Sequence, residues 1–584
     1  MYTMFFSVCR YTEIEAVVMP IEDGHHTQRL PEPLNMLYLS SLEMSRHLPK
    51  RLMLITMAII TILILALNNT ALLPYLALAQ NNINKLVITD GIASGDVTDN
   101  SAIVWSRANA QALMHVQYDS NLSFLHAKSK TLLVDKITDF AGHVKLDSLS
   151  PDTLYHYRIW FSSATSDDNA KESLSTPSPT RSDFMIGSFR TAPDRLTGKS
   201  VGFVIGGDLG GQNYCRRVGT GGIQGYPIFS IMQSLSPDFF IFNGDQIYGD
   251  IACSANGPSN VTGWTNIEGN FPSVTDTKVN WTNQNQLQDI YNKHWEYNRA
   301  DTRLQSLLRN TSMYSQADDH EVVNDYGGKW SYLTDTTKNR TGFPNLVKAG
   351  INAFFNFSPI DRNKDEPNRI YRSFHWGKDL DLFILDMHSY RSRDDLADTL
   401  QNNKTLLGRD QLHWLEQSLL NSAATWKVIS ADVPTTIPSC FNKESGCDNW
   451  ATDDTNSTFK KTFTRERSDF LKFLDDHNIK NVVIVTTDVH FPTNVLVEDD
   501  PNHDGHKLIY RELVSGPISA IPVKASPPDP TINATAKYQE NKIFNFGYIK
   551  IQKEKSDGKV HLISEVLDEN GLVRPGSNWD ISPQ

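Results

Sequence analysis

The sequence predicts a mixed fold: an all-β module on the N-terminal side and a larger domain in which strands alternate with helices. Three observations point there. From Leu86 to about Pro193, short apolar or alternating runs are separated by turn residues at sandwich-like spacing. After Thr191-Ala192-Pro193, short unbroken apolar runs suit strands buried on both faces. Apolar positions recur three and four apart around Leu287–Leu308, Leu406–Leu419 and Arg465–Asn478, which predicts helices and a layered α/β architecture.

With 584 residues the chain is too long for one ordinary domain, and 39% hydrophobic content allows a large core. The formal net charge of −12 argues against nucleic acid as the main partner and suits a protein that holds cations. Residues 1–43 carry no clear periodicity and remain an unassigned extension. Within 44–79, Arg46, His47, Lys50 and Arg51 form a positive flank to the apolar run Leu52–Leu67, and Ala77-Leu78-Ala79 reads as a cleavage site. This predicts an export signal, with an uncleaved membrane anchor as the alternative. No twin arginine precedes the run, which favours the general secretory route. Acceptor tripeptides at Asn121, Asn260, Asn280, Asn310, Asn339, Asn403, Asn456 and Asn533 agree with a secreted or cell-surface location. Cys9 lies in the segment expected to be lost. The even remainder pairs as Cys215 with Cys253 and Cys440 with Cys447, although four cysteines permit three connectivities. Cys215 as a metal thiolate is the competing reading.

In the first module, runs at Ala102–Trp105, Met114–Tyr118, His143–Leu146 and Tyr155–Phe161 predict strands. The stretch Leu149 to Tyr155 resembles the tyrosine corner of fibronectin type III-like domains, in which a Tyr hydroxyl ties a strand to the preceding turn. Residues 173–183, rich in Ser and Pro, read as a mobile loop. The module is expected to pack or shield.

In the second domain the apolar runs end repeatedly in a carboxylate, amide or imidazole. Val201–Ile205 leads to Asp208, and Phe239–Phe242 leads to Asn243, Asp245 and Tyr248. The run through Met313 and Tyr314 leads to Asp318, Asp319, His320 and Glu321, with Asn324 and Asp325 beyond. Leu380–Leu385 leads to Asp386, His388 and Arg391, Trp426–Ile429 to Asp432, and Val482–Val485 to Asp488 and His490. The later runs Leu508–Leu513, Phe544–Ile551 and Val560–Val566 read as antiparallel strands that finish the domain.

One strand that ends in Asp is unremarkable. Several that converge on one rim of a sheet crowd carboxylates together, which is electrostatically unfavourable without a cation. Hard oxygen ligands with imidazole and a possible phenolate suit Fe, Mn, Ca or Zn. A carboxylate that bridges two metals about 3.5–4 Å apart is the usual core of metal-assisted phosphoester hydrolysis. His294 and His413 read as helix packing residues, and His503 with His506 as a loop able to take a stray cation.

GDLG at Gly207, GDQIY at Gly244, DDHE at Asp318 and TDVH at Thr487 resemble, in order, the motifs of the metallophosphoesterase superfamily. More narrowly, the chain resembles the alkaline phosphatase D (PhoD) family from about Gly91, through Trp105 and Leu406-Leu407-Gly408 with Gln411, Trp414 and Leu415, to Glu512–Pro517. The resemblance implies a fibronectin III-like sandwich at 86–193 and a four-layered α/β/β/α catalytic domain at 198–575. It implies a ferric ion on Asp208, Asp245, Tyr248 and His490. Asp245 would bridge to a calcium site completed by Asp319 or Asn324 and by Asp488, with Mn or Zn as alternative metals. His320 would serve the phosphate as hydrogen-bond donor or acid, and Arg391 would orient it. The family often has Cys where Asp208 stands, so the GDxG form here is closer to purple acid phosphatases. His388 replaces the first arginine of the family's D-x-R-x-Y-R pattern and would take over part of the phosphate clamp.

The function so implied is an exported metal-dependent phosphatase. It would hydrolyse small phosphomonoesters and phosphodiesters by attack of metal-bound hydroxide, with membrane contact only through residues 52–79 if these stay attached. A secreted phosphodiesterase of phospholipase D type and a catalytically weak surface-binding protein are the rival readings.

Overall fold

The computed structural model describes residues 85–163, 181–219, 224–259, 261–327, 342–442, 446–453 and 461–584. The segment 44–79 expected to be an export signal, Asn260, Asn339, Asn456 and most of the 173–183 loop lie outside the described residues. Two large sheets carry the architecture. A nine-stranded sheet runs, in spatial order, Trp579–Ile581, Val560–Asp568, Asn545–Lys553, Val201–Gly206, Phe239–Asn243, Ser312–Gln316, Ile88–Gly95, Ser101–Ala108 and Ala141–Asp147. A seven-stranded sheet runs Arg372–Trp376, Leu380–Ile384, Trp426–Ser430, Val482–Thr486, Leu508–Val514, Thr493–Asp499 and Ala534–Gln539.

The strand Phe239–Asn243 shows why its sequence is apolar throughout. Phe239 and Ile241 join Ile205, Leu382, Val428 and Val485 in a core between the two sheets. Phe240 and Phe242, which point the other way, join Leu287, Trp295, Leu307 and Phe354 from the helices. The outer face of the seven-stranded sheet is covered by Leu415 and Leu419 of helix Arg409–Leu420 and by Phe470 and Leu474 of helix Thr464–Asp476. Each fully buried side chain of this size contributes roughly 1.5–3 kcal/mol.

Three expectations change. The 287–308 stretch forms two helices, Gln284–Arg299 and Thr302–Asn310, because Asp301 adopts extended backbone and its carboxylate caps the amides of Arg303 and Leu304. Leu508–Val514 lies parallel to Val482–Thr486, with Val483 opposite Arg511, rather than in a purely antiparallel array. The strand ends expected on one sheet rim come from both sheets, so the rim is shared across the inter-sheet core. Helix Phe343–Phe357 is not among the helices read from the sequence, although Leu346, Ala349, Gly350, Ala353, Phe354 and Phe357 recur three and four apart on its buried side.

The all-β module lies close against the rest. Its second sheet orders Lys128–Val134, Ala112–Asp119, Leu154–Ser162 and Met185–Arg190, and shares a core with Ile92, Val104 and Leu146 of the nine-stranded sheet. The backbone amide of Ser150 donates to the Tyr155 hydroxyl at 3.0 Å, the corner bond read from the sequence. Strand Ile88–Gly95 pairs in parallel with Ser312–Gln316, with Gly95 opposite Met313. The Trp105 indole donates to the carbonyl of Asn356 at 2.8 Å, and Arg372 forks onto Asp96. Both expected disulfides are present, Cys215–Cys253 and Cys440–Cys447, which removes Cys215 as a metal thiolate.

Candidate metal centre

Parallel strands of both sheets deliver their carboxyl ends to one place. Asp208 follows Val201–Gly206, Asp245 follows Phe239–Asn243, Asp319 and His320 follow Ser312–Gln316, and Asp488 and His490 follow Val482–Thr486. Asp208, Asp245, Asp488 and His490 all adopt positive φ, at 59°, 48°, 71° and 59°. A side chain in this left-handed region is disfavoured by roughly 1–2 kcal/mol. Such strain persists where surrounding contacts over-determine the backbone, and it clusters at functional sites.

Those contacts are visible. The Glu321 carboxylate, fully buried, accepts from the backbone amides of Asp245, Gln246 and Asp318 at 3.1, 2.7 and 2.8 Å, fixing both turns together. Gly244 has φ 103°, and a Cβ there would lie 2.5 Å from the Cβ of Asp318. The Thr487 hydroxyl donates to Asp208 Oδ2 at 2.5 Å.

Ligand atoms of Asp208, Asp245 and His490 lie within 4.8 Å of one another, and so do those of Asp245, Asp319 and His320. Asp245 therefore belongs to both groups, as a bridging carboxylate does. The Nδ1–H of His490 donates to the carbonyl of Ile521 at 2.8 Å. That leaves the Nε2 lone pair facing the cluster, 2.9 Å from the Tyr248 hydroxyl, as a ligating imidazole requires. Burial pushes His490 down to about 4, so it is neutral at neutral pH. Asp208 Oδ1 and Asp488 Oδ2 are buried with no hydrogen-bond partner. Burial, together with the charge of Asp318, pushes Asp208 up to about 7. Burial and neighbouring carboxylates raise Asp245 and Asp488 well above the carboxylate range, and burial raises Asp319. Unpartnered oxygens and mutually repelling acids fit cations, and the set of carboxylate, phenol and imidazole donors fits hard or borderline metals.

His320 packs 4.1 Å from the Tyr248 ring, centroid to centroid, with Nδ1 2.6 Å from Asp250 Oδ1 and Nε2 3.9 Å from Asp319 Oδ1. Burial alone would lower its pKa, but Asp250, Asp319 and Asp245 outweigh burial and raise it well above the usual range. Asn324, half-buried, donates its backbone amide to Asp250 Oδ2 at 3.2 Å.

His388 and Arg391, expected to face the phosphate, sit behind these groups. His388 Nε2 is 2.8 Å from Asp318 Oδ1, and Nδ1 donates to the carbonyl of Tyr326. Arg391 is wholly buried, with its guanidinium on Asp394 and Asp448 at 2.7 Å each. The surplus of buried acids has captured both cations. Asp448 in turn groups with Asp319 and Asp325.

From the sequence, Asp318, Asp325 and Asp432 are among the strand-end residues but receive no individual role, and Asp250 and Asp448 are not singled out. Asp250 lies two residues beyond Tyr248 in the loop that carries Asp245. Asp448 follows no strand of either large sheet; the Cys440–Cys447 hairpin beside it and the Arg391 guanidinium place it.

With this geometry in hand, comparisons with known proteins agree. Residues 205–562 match the PhoD-like phosphatase family and residues 75–193 its N-terminal domain. Alkaline phosphatase D of Bacillus subtilis (strain 168) is 23% identical over 472 residues, covering 76% of this chain and 71% of that protein. A solved structure of PhoD superposes with a TM-score of 0.62 at 18% identity, covering 85% of this chain and 92% of its own. A purple acid phosphatase from yellow lupin (Lupinus luteus) seeds superposes with a TM-score of 0.54 at 13% identity, covering 85% and 74%. These two likenesses speak to the fold alone. By the extent of the family match, the chain belongs to the PhoD-like phosphatase family.

Proposed function

We propose that this protein is an exported metal-dependent phosphatase that hydrolyses small phosphomonoesters and phosphodiesters and releases phosphate. One observation carries the reading: ligand atoms of Asp245 lie within 4.8 Å of those of Asp208 and His490 on one side and of Asp319 on the other, at the joint rim of two sheets. Asp208, Asp245, Tyr248 and His490 would hold Fe(III). Asp245, Asp319 or Asn324, and Asp488 would hold Ca(II). When bound, such ions supply Lewis acidity toward a phosphate oxygen and a nucleophile at neutral pH.

The chain's own residues do the rest. Glu321 and Thr487 hold the ligand loops in their strained backbone. Asp250 fixes the His320 ring and stabilises its imidazolium, whose Nε2–H is set to hydrogen-bond the phosphate or protonate the leaving oxygen. His388 and Arg391 neutralise Asp318 and Asp448 behind the ligands and so keep Asp319 in place. An arrangement of a fibronectin III-like sandwich at 86–193 before a four-layered α/β/β/α domain at 198–575 is supported by the core shared between the two large sheets and by the helices on their outer faces. Export is supported by the two disulfides, which persist in oxidising compartments.

The test is release of p-nitrophenol from its mono- and bis-phosphate esters, before and after complete chelation. Asp245→Asn should lose metal and turnover together while the fold survives. Turnover that persists without metal, or an Asp245→Asn enzyme that stays active, sinks the reading.

A further inference from the structure

We infer that the Cys215–Cys253 disulfide positions the first metal site, so that metal retention by this protein depends on that bond being oxidised. The inference rests on the metal-site reading above and extends it to redox dependence.

Strands Val201–Gly206 and Phe239–Asn243 pair only as far as Phe242 opposite Gly206. The residues that matter lie beyond that point. Asp208 sits in the loop after one strand, and Asp245 and Tyr248 in the loop after the other. Past the strand ends, the amide of Leu209 donates to the carbonyl of Asp245 at 2.8 Å. Among the described residues, the chain from Gly244 to Asn283 carries no helix and no named strand. Glu321 holds the amides of Asp245 and Gln246, and the amide of Gly249 donates to the carbonyl of His320 at 2.9 Å; beyond them an irregular segment of this kind gains from a further tie past Tyr248.

The tie is at Cys253, which bonds Cys215 in the loop that carries Asp208. Both half-cystines are buried, against Phe271 and Tyr297. Hydrogen bonds gather around the same link. Asn213 Oδ1 accepts from the amide of Ser254 and from Asn266 Nδ2, each at 2.9 Å, and Asn213 Nδ2 donates to Ser254 Oγ at 2.8 Å. Between Asn213 and Asp208 the chain touches the ligands themselves: a Cβ on Gly211 would overlap the Tyr248 ring, and Gln212 Oε1 accepts from the amide of Ile521, whose carbonyl holds His490. The bond thus closes a ring that runs from Asp208 through the disulfide to Tyr248 and Asp245. Opening it removes the covalent part of that ring and leaves the meeting of the two loops to hydrogen bonds, those of Leu209 to Asp245 and of Asp245 and Gln246 to Glu321.

In the redox step a dithiol reductant gives two electrons and two protons to the S–S bond, leaving two thiols on the protein and its own cyclic disulfide. The prediction is measured as metal release into excess chelator, followed by elemental analysis, on the full chain as purified. A folded Cys215→Ser/Cys253→Ser variant, and wild type reduced under native conditions, should bind metal about 10- to 100-fold more weakly than oxidised wild type, the affinity loss seen when groups that orient ligands are removed, and should release it correspondingly faster. Re-oxidation of the reduced wild type should restore slow release, and excess metal in the buffer should restore turnover of the variant. Equal release rates with a confirmed open bond overturn the inference, by whichever of the two routes yields folded protein. Oxidised wild type that holds no metal fails the metal-site reading itself, and is seen before any bond is opened.

Discussion

Removing metal should make the fold lose stability as pH rises, and Asp208 makes a contribution whose size can be worked out. Its carboxyl is pushed up to about 7 in the folded chain by burial, against an ordinary value of 3.8. Between those values the folded state carries a proton that the unfolded state has released. Stability then falls as pH rises through the window from about 4 to about 7, by roughly 4 kcal/mol at 1.36 kcal/mol per pKa unit. At an unfolding entropy of about 2.1 cal/mol/K per residue, residues 85–584 lose about 1 kcal/mol per kelvin, so Asp208 by itself should lower the melting point by about 4 °C. Asp325, pushed up to about 8, and Asp448, to about 7, add a slope of the same sign. Asp208→Asn cannot ionise and should therefore melt above chelated wild type at pH 8 and level with it near pH 4. Differential scanning calorimetry of chelated protein from pH 4 to 8, with and without D208N, measures this. A flat or rising wild-type melting point, or a D208N slope equal to wild type, refutes the reasoning.

Other predictions concern the groups around the ligands. Asp250→Asn removes the charge that keeps His320 protonated, so the alkaline limb of the pH–rate profile should move toward acid, with kcat loss larger at pH 9 than at pH 6 and reaching about 10²-fold. An unmoved limb would remove His320 as the acid. Gly516 has φ 143°, and a Cβ there would come 2.5 Å from Asp208 Oδ2. Gly516→Ala should therefore reduce metal content and destabilise the fold by about 1–3 kcal/mol, read by elemental analysis and thermal melts. Trp105→Ala breaks the indole bond to Asn356 and empties a fully buried site, for a loss of about 3–5 kcal/mol in denaturant melts.

Much of the centre is legible because buried parallel strands announce themselves as unbroken apolar runs, and each run delivers its next polar residue to the sheet rim. Asp208, Asp245, Asp488 and His490 are found this way. The reading runs out where position depends on chain return. Asp448 lies beyond a short hairpin with no long strand before it, so nothing local marks it. His388 and Arg391 carry the right chemistry for phosphate, but sequence does not reveal how many buried acids compete for them. Asp301 splits an apparently continuous helix because a capping carboxylate outweighs apolar spacing once its two amide partners are in reach.

The parallel pairing of Ile88–Gly95 with Ser312–Gln316 has a practical consequence. The strand that feeds Asp319 and His320 takes its outer neighbour from the N-terminal module. A shortened catalytic fragment that begins after Pro193 would lose the pairing at Met313 and leave that strand at the edge of the sheet, and open edges recruit other chains. The fragment should self-associate on expression, and the module is better regarded as a missing stave of the sheet than as a detachable cover.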